Sequence, residues 1–84
     1  MNSEDFASRS ALPSWEYFGE AGLTEREAQV LRLLARGLTN REIASDLHLS
    51  HWTVKRHLSR ISRRLGLSRR VELALWFANQ AERR

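Results

Sequence analysis

From Leu23 onward the apolar positions fall into runs at helical spacing, each bounded by residues that start or stop a helix. Val30, Leu31, Leu34 and Leu38 follow Thr24 and Glu27, which stand in the S/T-x-x-E order of a capping box. This predicts a first helix from Thr24, ended by Gly37, the residue that most cheaply takes the left-handed conformation beyond a C-terminus. Thr39 and Glu42 open a second capping box, with Leu38 and Ile43 placed as its hydrophobic staple. This second helix is short, buries Ile43, Ala44 and Leu47, and finishes near His48. Ser50 is the next N-cap candidate, leaving only His48 and Leu49 between the two helices. Helices joined so tightly cross steeply, with Leu49 buried, in the manner of a helix-turn-helix.

In the third run, Val54, Leu58, Ile61 and Leu65 form a single apolar stripe over about residues 51–65. At roughly 100° per residue, the opposite side carries Trp52, Arg56, Ser59, Arg60 and Arg63, with Lys55 on its flank. Gly66 ends this helix and Ser68 is placed to cap a fourth. The fourth helix is apolar over more of its circumference than one core requires. Val71, Ala74, Leu75 and Ala78 make one face, and Leu73, Trp76 and Phe77 extend onto another. The expectation is that Leu73, Trp76 and Phe77 supply a self-association surface. The competing reading is a wide core contact, covered by aromatic residues from the start of the chain.

Residues 1–21 show no sustained period and include the only proline, so they read as a leader or linker. Trp15, Tyr17 and Phe18 follow Pro13-Ser14 closely enough for a short helical turn that packs on the main domain. The expected organisation is a leader over 1–21, one all-α four-helix domain over 22–79, and a tail over 80–84.

Charge changes the picture because it is unevenly spread. The chain has a formal net charge of +4, yet residues 50–71 alone hold seven lysines and arginines and no acid. That excess falls on the amphipathic third helix and just beyond it, the footprint of a polyanion binder. A merely solvated basic face would look the same by charge alone. With no cysteine there is no disulfide or thiolate site. His48 and His51 straddle a helix boundary without a third ligand, so no metal is expected. His57 and Ser59 are two apart on a helix and point to different faces, so they form no catalytic pair. The glycines near Gly19 and Gly22 lack the Gly-Lys-Ser/Thr core of a phosphate loop. No enzyme signature and no cofactor site is read. No charged segment followed by an apolar one opens the chain, and no apolar run could span a bilayer, so the expected location is cytoplasmic.

The ordered run Leu23-Thr24-Glu25-Arg26-Glu27, Val30-Leu31, Ala35, Gly37, Asn40, Glu42-Ile43-Ala44, Leu47 and Ser50 resembles the LuxR or GerE type of bacterial regulators. The likeness continues through Thr53-Val54-Lys55, His57, Ile61, Leu65 and Arg70, covering about residues 22–79. The resemblance implies a four-helix domain whose third helix reads double-stranded DNA and whose fourth forms a homodimer. It implies base-reading positions at Lys55, Arg56 and Arg60, and phosphate neighbours at Thr39, Arg41, Thr53, Arg63 and Arg64. His57 falls at the edge of the reading helix, suited to packing or to a phosphate. Trp52 departs from the family's usual small or polar residue, and either packs at the helix start or meets DNA, for instance a thymine methyl. An alternative is a protein-interaction module contacting RNA polymerase, since residues 23–56 also resemble sigma-factor region four. The continuation from Leu65 through Arg70 and the fourth helix fit the LuxR type better.

Overall fold

Two threonines set the frame of the domain. Thr24 Oγ1 accepts the Glu27 N–H at 3.1 Å while Glu27 Oε1 accepts the Thr24 N–H at 3.0 Å, opening α1 at Glu25–Ala35. Thr39 and Glu42 repeat the exchange at 3.2 and 2.8 Å to open α2, Asn40–Leu47. Ser50 Oγ accepts the Thr53 N–H at 3.0 Å and starts α3, His51–Leu65. Each such cap is worth about 1 kcal/mol, so the helix boundaries are fixed locally before any packing. The computed structural model describes residues 21–82, and among these it contains α1 to α3, a fourth helix α4 at Arg70–Glu82, and no strand. None of these helices is long and apolar enough to cross a membrane. The expected leader before Ala21, with Trp15, Tyr17 and Phe18, and the last two residues of the tail lie outside the described residues.

Gly37 ends α1 as expected. Its φ is +96°, its N–H bonds the Leu34 carbonyl at 2.9 Å, and the Leu38 N–H reaches back to the Leu33 carbonyl at 3.2 Å. That pair of bonds is a Schellman motif. α2 ends the same way around a different residue. His48 takes the left-handed conformation (φ 58°), and the Leu49 N–H bonds the Ala44 carbonyl at 2.8 Å.

α1 is the hub, packing against the other three helices. Its Val30, Leu31, Leu33 and Leu34 meet Ile43 and Ala44 of α2, Val54 and Ile61 of α3, and Leu73 and Phe77 of α4 in one buried cluster. Each fully buried aliphatic side chain stabilises the fold by about 1.5–3 kcal/mol relative to exposure. Leu38, Leu47, Leu49, Leu58 and Leu65 are half-buried around this cluster.

Two expectations are corrected. α4 does not take Ser68 as its N-cap: the first helical bond runs from the Leu73 N–H to the Arg69 carbonyl. The Glu72 carboxylate instead accepts both the Ser68 and Arg69 N–H groups, at 3.2 and 3.0 Å. An anionic side chain there satisfies two orphan donors at once and suits the positive end of the helix. The second correction concerns the faces of α4. Leu73 and Phe77, expected on a self-association surface with Trp76, are core residues at 3% and 8% exposure, and Trp76 is half-buried against the same core. Val71 and Leu75 are the exposed pair instead, with Ala78 one turn further on. Both faces are apolar, and α1 takes the larger side chains, which fill more of the interhelical space.

Candidate nucleic-acid interface

α3 is buried along one side only. Val54 and Ile61 are fully inaccessible, which fixes the rotation of the helix about its axis. Trp52, Lys55, Arg56, Ser59, Arg60 and Arg63 consequently line one shallow cleft on the outer face, all of them exposed. Every residue expected to read bases is therefore on one surface. Among the described residues that line it, that surface contains no carboxylate, since α3 itself has none. Arg63 and Arg64 in the last turn complement the negative end of the helix dipole.

The expected phosphate neighbours are more scattered. Thr39 and Arg41 are exposed at the N-terminus of α2. Thr53 is half-buried, and its hydroxyl lies 2.8 Å from Ser50 Oγ. Arg63 borders the outer cleft and also a cleft on each flank of α3. Arg64 lies around the flank with Gly22, Thr24 and Glu27. Its stem crosses so close to Gly22 that a Cβ there would sit 2.6 Å from Arg64 Cδ. Gly22, whose φ is +93°, thus seats the arginine beside the α1 N-terminus.

His57 is half-buried between α3 and the start of α1. Its Nδ1 is shielded and has no hydrogen-bond partner among the described residues. Burial holds its pKa below the ordinary value; the nearby Glu27 opposes that shift, whereas Arg26, Arg60 and Arg56 add to it.

The second flank of α3 carries residues that sequence reasoning did not single out as functional. Arg70, the first residue of α4, donates from Nη1 to Asn40 Oδ1 and from Nη2 to the Leu38 carbonyl, both at 2.7 Å. This fork ties the start of α4 to the start of α2 and closes a cleft shared with Lys55, Ser59, Ser62 and Arg63. Asn40 and Arg70 are both in the family-like run, but no periodicity links positions thirty apart. Among the described residues, no group of His, Cys, Asp and Glu is placed to hold a metal.

Residues 21–77 match the family model described as bacterial regulatory proteins, luxR family. The chain is 43% identical over 63 residues to the DNA-binding transcriptional activator DevR/DosR of Mycobacterium tuberculosis, covering 75% of this chain and 29% of that protein. It is 47% identical over 58 residues to the nitrate/nitrite response regulator protein NarP of Escherichia coli, covering 69% of this chain and 27% of that protein. With the response regulator protein VraR of Staphylococcus aureus it shares 43% identity over 54 residues, 64% of this chain and 26% of the relative. The chain thus corresponds to less than a third of the length of these relatives.

Proposed function

The chain belongs to the luxR family of bacterial regulatory proteins, and from that membership we propose that it regulates transcription by binding specific duplex sequences with α3 in the major groove. The observation that carries this reading is the division of α3 into a buried apolar stripe and an exposed, acid-free basic face. A helix of 15 residues is roughly 22 Å long and fits a groove about 12 Å wide. The N-terminal half of a recognition helix meets base edges and later residues meet the backbone. Lys55 and Arg56 accordingly face the bases with Trp52 beside them, and Arg60, one turn further along the same face, reaches the next base edges. Thr39, Arg41, Thr53, Arg63 and Arg64 serve the phosphates, with Arg64 on the flank of α3 beside Gly22.

The functional unit in this proposal is a homodimer. α4 packs on α1, and its exposed stripe of Val71, Leu75 and Ala78, spaced i, i+4 and i+7, suits pairing with the same stripe of a second copy.

Selection of bound sequences from a random duplex pool, followed by titration of mutated sites, tests the proposal. Lys55→Ala and Arg56→Ala should each flatten discrimination at one base pair, by about 1–3 kcal/mol. Arg63→Ala should weaken all sequences alike. A pool that yields no enriched sequence would defeat the groove reading and leave the basic face to a protein partner such as RNA polymerase.

A further inference from the structure

Trp52 is 64% exposed in the middle of a basic surface. An indole in that position leaves a large apolar area in water, and packing within the domain does not account for it. What it does meet is Arg56, whose guanidinium carbon lies 4.9 Å from the centroid of the ring. The two residues are one helical turn apart, so α3 itself stacks them in register.

The stacking leaves the chemistry of Arg56 oriented. The ring holds the centre of the planar cation over its own face, and the N–H donors turned away from the ring remain open to a base. An unheld arginine samples many rotamers, and ordering them on binding opposes association. Held against the indole, Arg56 presents its fork in a restricted set of directions. A fork of two parallel donors fits the O6 and N7 acceptors of guanine in the major groove better than any other base edge. Lys55, by contrast, is a compact charge on a flexible stem.

We propose that Trp52 is a positioning residue that pre-orients Arg56 to read one guanine, making that base pair the most strongly discriminated in the bound site. The inference rests on the major-groove reading of α3 and adds to it the base, the reader and the residue that holds the reader. Trp52 acts here through Arg56 and not by touching a base.

The test compares the wild-type chain with Trp52→Ala, Trp52→Phe, Arg56→Ala and the double alanine variant, each on the sites selected by the wild type. Replacing the guanine should cost the wild type about tenfold or more in affinity. Arg56→Ala should abolish that preference. Trp52→Ala should reduce it at the same base pair and leave the other base pairs unchanged, and Trp52→Phe should restore most of it. In the Arg56→Ala background, removing Trp52 should change nothing further at that pair. A general loss of helix stability would instead lower affinity for every site equally. If Trp52→Ala erases a preference for thymine in both backgrounds, the indole reads a methyl directly and the proposal is overturned.

A second measurement needs no DNA. The Arg56 side-chain Nε–H should be ordered on the picosecond to nanosecond scale in the wild type and loosen in Trp52→Ala. Unchanged mobility overturns the positioning role even when α3 is shown to read a groove. Conversely, loosening together with a wild type that selects no sequence overturns the groove reading, and with it the assignment of a guanine.

Discussion

His48 and Gly37 occupy equivalent left-handed positions at the ends of α2 and α1, and only one of them is a glycine. For an L-residue this conformation costs roughly 1–2 kcal/mol, partly offset because glycine loses more freedom on folding. His48→Gly should therefore stabilise the domain by about 0.5–1 kcal/mol, seen as a higher thermal midpoint. Gly37→Ala should destabilise it by about 1 kcal/mol, and purely through the backbone, because nothing lies within 4 Å of the added Cβ. Equal and small effects of the two substitutions would refute the conformational argument. His57 gives a second residue-scale expectation. Burial depresses its pKa below the ordinary 6.5, so as pH falls the unfolded chain takes up the proton first. Stability then rises with pH wherever the unfolded state binds more protons. The contribution is complete above about pH 7 and is lost as pH drops from about 6.5 through the lower folded value. Urea unfolding at pH 7.5 and 5.5 should show this loss in the wild type and a smaller one in His57→Gln.

At the scale of the helices, the first three were legible in the sequence and the fourth only in part. The Thr24–Glu27 and Thr39–Glu42 boxes are local chemistry, closed within three residues, and the α3 stripe alternates cleanly with charge. Local rules were therefore sufficient to locate the exposed face on which Lys55, Arg56 and Arg60 gather. α4 offers no such contrast, because apolar residues surround it and the wheel admits two inward faces. The choice depends on the shape of α1, which no local pattern encodes. The same limit hid the Arg70 fork on Asn40 and Leu38, a contact between distant segments. The cap was misplaced for a different reason: Ser68 is a good N-cap type, but Glu72 reaches two backbone N–H groups where one hydroxyl would serve one. Aspartate substitutions report the orientation of α4 directly. Leu73→Asp places a charge at a site 3% exposed and should unfold a domain of this size, whereas Leu75→Asp, at 65% exposure, should keep full helicity by circular dichroism. Retained helicity in Leu73→Asp would mean that the faces are assigned the wrong way round.

For the molecule as a whole, the proposed pairing and DNA binding would be linked through the count of phosphates engaged. Each neutralised phosphate releases condensed counterions, so log affinity falls against log salt with a slope of about −0.9 per contact. The acid-free basic run of α3 and its flanks can serve about three phosphates in each copy, which puts a dimer on two half-sites near a slope of −5. The proposed pairing stripe of Val71, Leu75 and Ala78 is on a different helix from the basic face. Removing the pairing should therefore leave each copy's own contacts intact. Leu75→Asp should then bind the full site with a slope near −2.5, about half that of the wild type, while keeping the preferred bases. Its affinity should also fall more than the loss of contacts with one half-site alone requires, because the two half-sites no longer share an effective concentration. Sedimentation velocity on the same samples should show one copy per duplex in place of two. A wild-type slope shallower than about −2 would argue against duplex DNA as the main partner. An unchanged slope in Leu75→Asp would place the pairing surface somewhere other than the exposed side of α4.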